Sequence, residues 1–220
     1  MKGFGHDVRV IQRAKLSLSV LLSVTITSSI MSFAGCAGDD RPGKVIPVYD
    51  PATRELQRLD YDVDEDGRID VRTFMANGKP VRLEGDQDRD GKVDRWEYYG
   101  PSGDLVKLGT SSARDGVEDT WLFQAGQDRR MEMSTARDGV VDRFEFYRGP
   151  DLVRVETDVN RDGTIDHWEE YERGDLRVLR MDDEQHPGRP VRRLTYRDGA
   201  EPLLEVDPDG DGVFVPAVTR

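Results

Sequence analysis

Acidic side chains, with one amide among them, recur on alternate residues at four places in this chain, each beside a glycine. They are Asp62, Asp64 and Asp66 before Gly67, Asp86, Asp88 and Asp90 before Gly91, Asp158, Asn160 and Asp162 before Gly163, and Asp207, Asp209 and Asp211 before Gly212. In the first three a further acid follows the glycine, at Asp70, Asp94 and Asp166. Carboxylate and amide oxygens are hard ligands. Placed on alternate residues around a glycine bend they wrap about one point, which suits a calcium ion and its roughly six to eight oxygens. Softer metals find little here: His6, His167 and His186 have no Cys or second His nearby, so neither zinc nor His-based catalysis has a ligand set.

The segment from Asp86 to Glu97 resembles the calcium loop of EF-hand proteins at every ligand position. The resemblance implies side-chain ligands at Asp86, Asp88, Asp90 and Asp94, a backbone carbonyl from Lys92, and a bidentate closing carboxylate from Glu97. The segment from Asp158 to Glu169 carries the same set: Asp158, Asn160, Asp162, the Thr164 carbonyl, Asp166 and Glu169. The loop at 62–73 offers Asp62, Asp64, Asp66, the Arg68 carbonyl and Asp70, but ends in Thr73. The last loop offers Asp207, Asp209 and Asp211, then Val215 and Val218 where acids would stand. In two other copies Ser111, Ala113, Ser134 and Ala136 replace early ligands while Asp115, Asp119, Asp138, Asp142 and Glu145 persist. Turn chemistry suffices to explain those Asp-Gly pairs. The resemblance covers the loops alone. Their flanks alternate as strands do, so the opening motion of an EF-hand helix pair is not implied, and the arrangement is similar to extracellular bacterial repeats that use an Asp-rich loop as a structural clip.

What must position these loops is a repeat. The glycine of the Asp-Gly pair falls at 67, 91, 116, 139, 163 and 212, with spacings of 24, 25, 23, 24 and 49, and Gly188 sits where the missing copy belongs. About seven units of 24 residues therefore fill 56–220. Aromatic residues follow at strand spacing: Trp96 and Tyr98, Trp121 and Phe123, Phe144 and Phe146, with Phe74 and Trp168 in the neighbouring copies. Turn signals such as Asn77-Gly78, Gly100-Pro101-Ser102-Gly103 and Arg173-Gly174-Asp175 come next, and then a second alternating run. The grammar predicts an all-β fold of elongated tandem β-hairpin repeats, an antiparallel meander or a solenoid, with the aromatics of successive units side by side on one face.

Hydrophobic residues are 36% and charged residues 35% of the 220, with 22 Gly and 11 Pro, which disfavours a large α/β enzyme with a thick core. The formal net charge is −12. Residues 1–35 hold Lys2, Arg9, Arg13 and Lys15 against Asp7, so the rest carries about −15. Nucleic acid is excluded as a partner by that sign, and cations are favoured.

The N-terminus reads as an export signal over 1–35: a basic stretch to Lys15, an uncharged run from Leu16 to Gly35, and small residues before the single cysteine, Ala34-Gly35-Cys36-Ala37. The last four resemble a lipobox, which implies lipidation of Cys36, although Phe33 stands where that motif usually has Leu. Cleavage after Ser32-Phe33-Ala34 or retention of the apolar run as an anchor are the other readings. All three place the acidic part outside the cytoplasm, in the periplasm or at the cell surface. Residues 36–55 read as a tether and first strand.

Together these features point to a non-enzymatic calcium-binding envelope lipoprotein, a structural or adhesion scaffold meeting a membrane through its lipid, with the aromatic ladder offered to another envelope protein or a carbohydrate. The alternative is an exported hydrolase using clustered carboxylates, which would need a walled cleft. Arg173-Gly174-Asp175 spells an integrin-binding tripeptide, but a hairpin turn accounts for it fully.

Overall fold

The computed structural model describes residues 43–217; Cys36, the export segment and most of the tether lie outside them. Among the described residues there are fifteen strands and no helix. They are β1 (Lys44–Tyr49), β2 (Leu56–Asp62), β3 (Val71–Ala76), β4 (Lys79–Gly85), β5 (Arg95–Tyr99), β6 (Leu105–Thr110), β7 (Thr120–Ala125), β8 (Asp128–Met133), β9 (Arg143–Arg148), β10 (Asp151–Thr157), β11 (His167–Glu172), β12 (Asp175–Met181), β13 (Arg192–Thr195), β14 (Leu203–Val206) and β15 (Val215–Pro216). Each strand pairs with its sequence neighbours, and the order β1 to β15 makes one open antiparallel sheet. The all-β hairpin expectation holds, as a meander.

Two kinds of connection alternate. Tight turns close β3–β4 and β11–β12, where Asn77 and Gly78 (φ 51 and 74°) and Arg173 and Gly174 (φ 53 and 87°) take the left-handed conformation that matches the strand twist. The acidic loops make the other connections, β2–β3, β4–β5 and so on to β14–β15. Because successive strands run in opposite directions, every acidic loop lies along one margin of the sheet and every tight turn along the other. That alternation brings loops about 24 residues apart side by side.

One face carries two cross-strand rows, the second of which runs Asp60, Arg72, Glu84, Trp96, Gly109, Trp121, Glu132, Phe144, Glu156 and Trp168. The first is Arg58, Phe74, Arg82, Tyr98, Lys107, Phe123, Arg130, Phe146 and Arg154, a cation and an aromatic ring in strict alternation. The aromatics of successive units thus share one face, with a cation between each and the next, because each hairpin supplies one aromatic strand and one Arg-acid strand. The cations cover the rings: Arg82 lies 4.5 Å from the Phe74 centroid, Lys107 3.8 Å from Tyr98, Arg130 4.9 Å from Phe123 and Arg154 4.0 Å from Phe146. Three of these arginines pair with the acid two residues on, Arg82 with Glu84 at 2.7 Å, Arg130 with Glu132 at 2.6 Å and Arg154 with Glu156 at 3.3 Å. A single-layer sheet has no second layer to bury its rings. Long arginine stems lying on them serve instead, and among the described hydrophobics only Val71, Trp96, Leu108, Val155 and Val191 are buried.

β6 departs from this pattern. Gly109 stands between Trp96 and Trp121 where the other Arg-acid strands have their acid. Glu118, from the next loop, folds over it and accepts a hydrogen bond from the Tyr98 hydroxyl at 2.8 Å. A Cβ at Gly109 would collide with that carboxylate, so the glycine is what admits it. The outermost described strands carry Pro47 and Pro216, which lack a ladder N–H and blunt the open edges.

Candidate metal centre

Within each loop, numbered from its first acid, the local hydrogen bonds repeat. The first residue accepts from the glycine N–H at position six: Gly67 to Asp62 at 2.9 Å, Gly91 to Asp86 at 2.7 Å, Gly163 to Asp158 at 2.7 Å and Gly212 to Asp207 at 3.0 Å. Position five accepts from the N–H of position seven, Arg68 to Asp66 at 2.8 Å, Lys92 to Asp90 at 2.9 Å and Thr164 to Asp162 at 2.8 Å. Position three accepts from position five, as in Asp66 to Asp64 at 3.2 Å and Asp162 to Asn160 at 2.9 Å. These bonds fold the alternate side chains inward. Oxygens of Asp62, Asp64 and Asp66, of Asp86, Asp88 and Asp90, and of Asp207, Asp209 and Asp211 gather within 4.8 Å of one another, so each triplet can hold a metal ion.

Position nine closes the loop. Its carboxylate accepts the N–H of position two in five loops: Val63 to Asp70 at 2.7 Å, Gln87 to Asp94 at 3.2 Å, Ser112 to Asp119 at 3.0 Å, Thr135 to Asp142 at 2.9 Å and Val159 to Asp166 at 3.0 Å. This clamp explains why Asp119 and Asp142 persist in copies that have lost their early acids. Neighbouring loops are joined as well, the N–H of position one donating to the carbonyl of the preceding position nine, as in Asp86 to Asp70 at 2.8 Å and Ser111 to Asp94 at 3.0 Å.

The buried oxygens distinguish the loops. Asp62 (4% exposed) and Asp94 (9% exposed) each keep one buried carboxylate oxygen without a hydrogen-bond partner among the described residues, and so does Asp86. Such an oxygen costs about 1–3 kcal/mol, more when charged, unless something occupies it. Asp119 and Asp142, both 1% exposed, are served by Ser112 and Thr135 and by guanidinium groups, Arg137 at 2.9 Å and Arg161 at 3.3 Å.

Electrostatics follows the same division. Burial pushes the carboxyls of Asp70 and Asp94 above the ordinary range, and nearby acids add to the rise. Burial would raise Asp119 too, but hydrogen bonds from Ser112 and Arg137 outweigh it and the net shift is downward. Raised acids lose folding stability as pH climbs through their folded pKa, so ionised Asp70 and Asp94 cost loops 62–70 and 86–94 stability at neutral pH.

Glu97 and Glu169 sit on strands, with their carboxylates engaged there. Glu97 accepts from Arg95 Nε at 2.8 Å and from the Tyr99 hydroxyl, and Glu169 accepts from the Tyr171 hydroxyl. The close group of loop 86–97 is made of Asp86, Asp88 and Asp90, without Glu97. A helix would bring the closing residue back round to the ion, but a strand carries it away at about 3.3 Å per residue. Both oxygens of Asp158, Asp166 and Asp207 already accept backbone N–H groups. Sequence reasoning missed the position-four arginines, whose partners lie one repeat away. No protein-family model matches this chain, and no curated protein matches it.

Proposed function

We propose that this protein is a calcium-binding, non-enzymatic scaffold of the cell envelope, exported and held on a membrane by a lipid on Cys36. The observation that carries the calcium reading is the set of partnerless buried oxygens on Asp62, Asp86 and Asp94 in loops whose acids already converge. Carboxylates on a flexible alternating loop suit calcium's irregular oxygen shell better than the strict octahedron of magnesium. The non-enzymatic reading draws on the chemistry of a shallow concavity of about 630 Å³ on the open sheet. Its two carboxylates, Asp128 and Glu170, sit on β8 and β11.

Titration calorimetry on the metal-free chain tests the reading. Calcium should bind saturably with Kd of about 0.1–1 mM, as extracellular modules do, and magnesium at least about tenfold more weakly by the same geometric argument. Nanomolar binding or a preference for magnesium would contradict it. Labelled fatty acid should appear on the wild-type chain and be lost in Cys36→Ser; no label on the wild type would remove the lipid anchor.

A further inference from the structure

Position four is held at positive φ in five consecutive loops. It is Glu65 in the first and arginine in the next four, Arg89, Arg114, Arg137 and Arg161. Each arginine reaches the loop before its own. Arg89 bonds Asp64 at 2.6 Å and stands 3.9 Å from Asp70. Arg114 stands 3.5 Å from Asp88. Arg137 bonds Asp115 and, at 2.9 Å, Asp119, while Arg161 bonds Asp138 and lies 3.3 Å from Asp142. The step between such loops is two strand spacings, roughly 10 Å, which an arginine and a carboxylate bridge together.

We propose that these arginines are built-in cations for the preceding loop: Arg137 and Arg161 fill loops 111–119 and 134–142 in place of a metal ion, and Arg89 competes with a divalent ion for loop 62–70. The inference rests on the cation-binding reading above and names the residues that decide which loops take an ion. Loops 111–119 and 134–142 have lost the acids of positions one and three to Ser111, Ala113, Ser134 and Ala136. The acids that persist at positions five and nine, Asp115 and Asp119 in one loop and Asp138 and Asp142 in the other, are the ones the guanidinium meets, and with Ser112 and Thr135 it leaves Asp119 and Asp142 fully partnered. In loop 62–70 all the acids remain. Arg89 takes Asp64 and approaches Asp70, and one oxygen of Asp62 is left buried and unserved. A planar guanidinium offers a fork of N–H groups on one side, whereas a calcium ion collects oxygens from all directions. An ion gathering Asp62, Asp64 and Asp66 must therefore release Arg89. Loop 158–166 faces no such arginine, since the copy that follows has Gln185 and His186 in that stretch.

Loop-resolved NMR titration of the isotopically labelled chain with calcium tests this. The Gly67 amide, bonded to Asp62, reports loop 62–70, and the Gly91 amide, bonded to Asp86, reports loop 86–94. Arg89→Asn removes the charge with a residue that tolerates positive φ. Its Gly67 midpoint should fall about fivefold, the size of one exposed ion pair that no longer has to be broken. The Gly116 and Gly139 amides should ignore calcium in the wild type. A Gly67 midpoint that stays put or rises in Arg89→Asn, while the wild type titrates normally, overturns the competition and leaves calcium binding intact. A calcium response at Gly116 or Gly139 overturns the filling of those loops. If neither Gly67 nor Gly91 responds in the wild type, the cation reading fails and takes the inference with it.

Discussion

Calcium at ten times Kd is expected to raise the melting temperature of the metal-free protein by about 6–12 °C. An ion that binds only the folded form stabilises it by RT ln(1 + [L]/Kd), about 1.4 kcal/mol per site at that excess. Two sites, the loops with partnerless buried oxygens, then supply about 3 kcal/mol, and a domain of this size shifts by about 2–4 °C per kcal/mol. The double variant Asp62→Asn, Asp86→Asn should lose most of the gain. An amide oxygen can still accept the Gly67 and Gly91 N–H groups, so the turns survive while the charge that draws the ion is gone. Trp96, 8% exposed and two residues beyond Asp94, should change its emission as the loop fills. A melting temperature indifferent to calcium and to chelator would reduce the acidic loops to solvated turns.

Asp119→Ala is expected to destabilise the protein by about 3 kcal/mol, whether or not calcium is present. The side chain is 1% exposed and accepts from the Ser112 N–H, the Ser112 hydroxyl and Arg137. Truncation removes hydrogen bonds to a charged group and strands a backbone N–H, each worth about 1–3 kcal/mol. Asp142→Ala should behave alike through Thr135 and Arg161, whereas Asp66→Ala, at an exposed position five, should fall within about 0.5 kcal/mol in chelator. Chemical denaturation in chelator reads all three. If Asp119→Ala unfolds with the wild type, position nine is not the clamp.

The same loops set an acid limit. Hydrogen bonds from Arg137 and Arg161 hold the carboxyls of Asp115 and Asp138 at about 2, below the ordinary carboxylate value of 3.8. A depressed acid contributes stability that is complete above its unfolded pKa and disappears as pH falls through the folded one. Their share should therefore fade between pH 3.8 and about 2.

Several features of this protein were written in local sequence. The Asp-Gly bends, the alternation of Trp96 with Tyr98 and the turn at Asn77-Gly78 depend on residues within a few positions of one another, so strands, hairpins, period and acid triplets could be read directly. Partners one repeat away could not, because they exist only once strands pair in register. Tertiary structure alone decided that the array is a single meander, that arginine covers each ring, and that Gly109 makes room for Glu118. It also placed Glu97 and Glu169 on strands: an extended chain carries the twelfth residue away from the loop, where a helix would have returned it to the ion. Finally, it set Arg89, Arg137 and Arg161 beside the carboxylates of the preceding loop, a contact created by two strand spacings and invisible to any pattern along the chain.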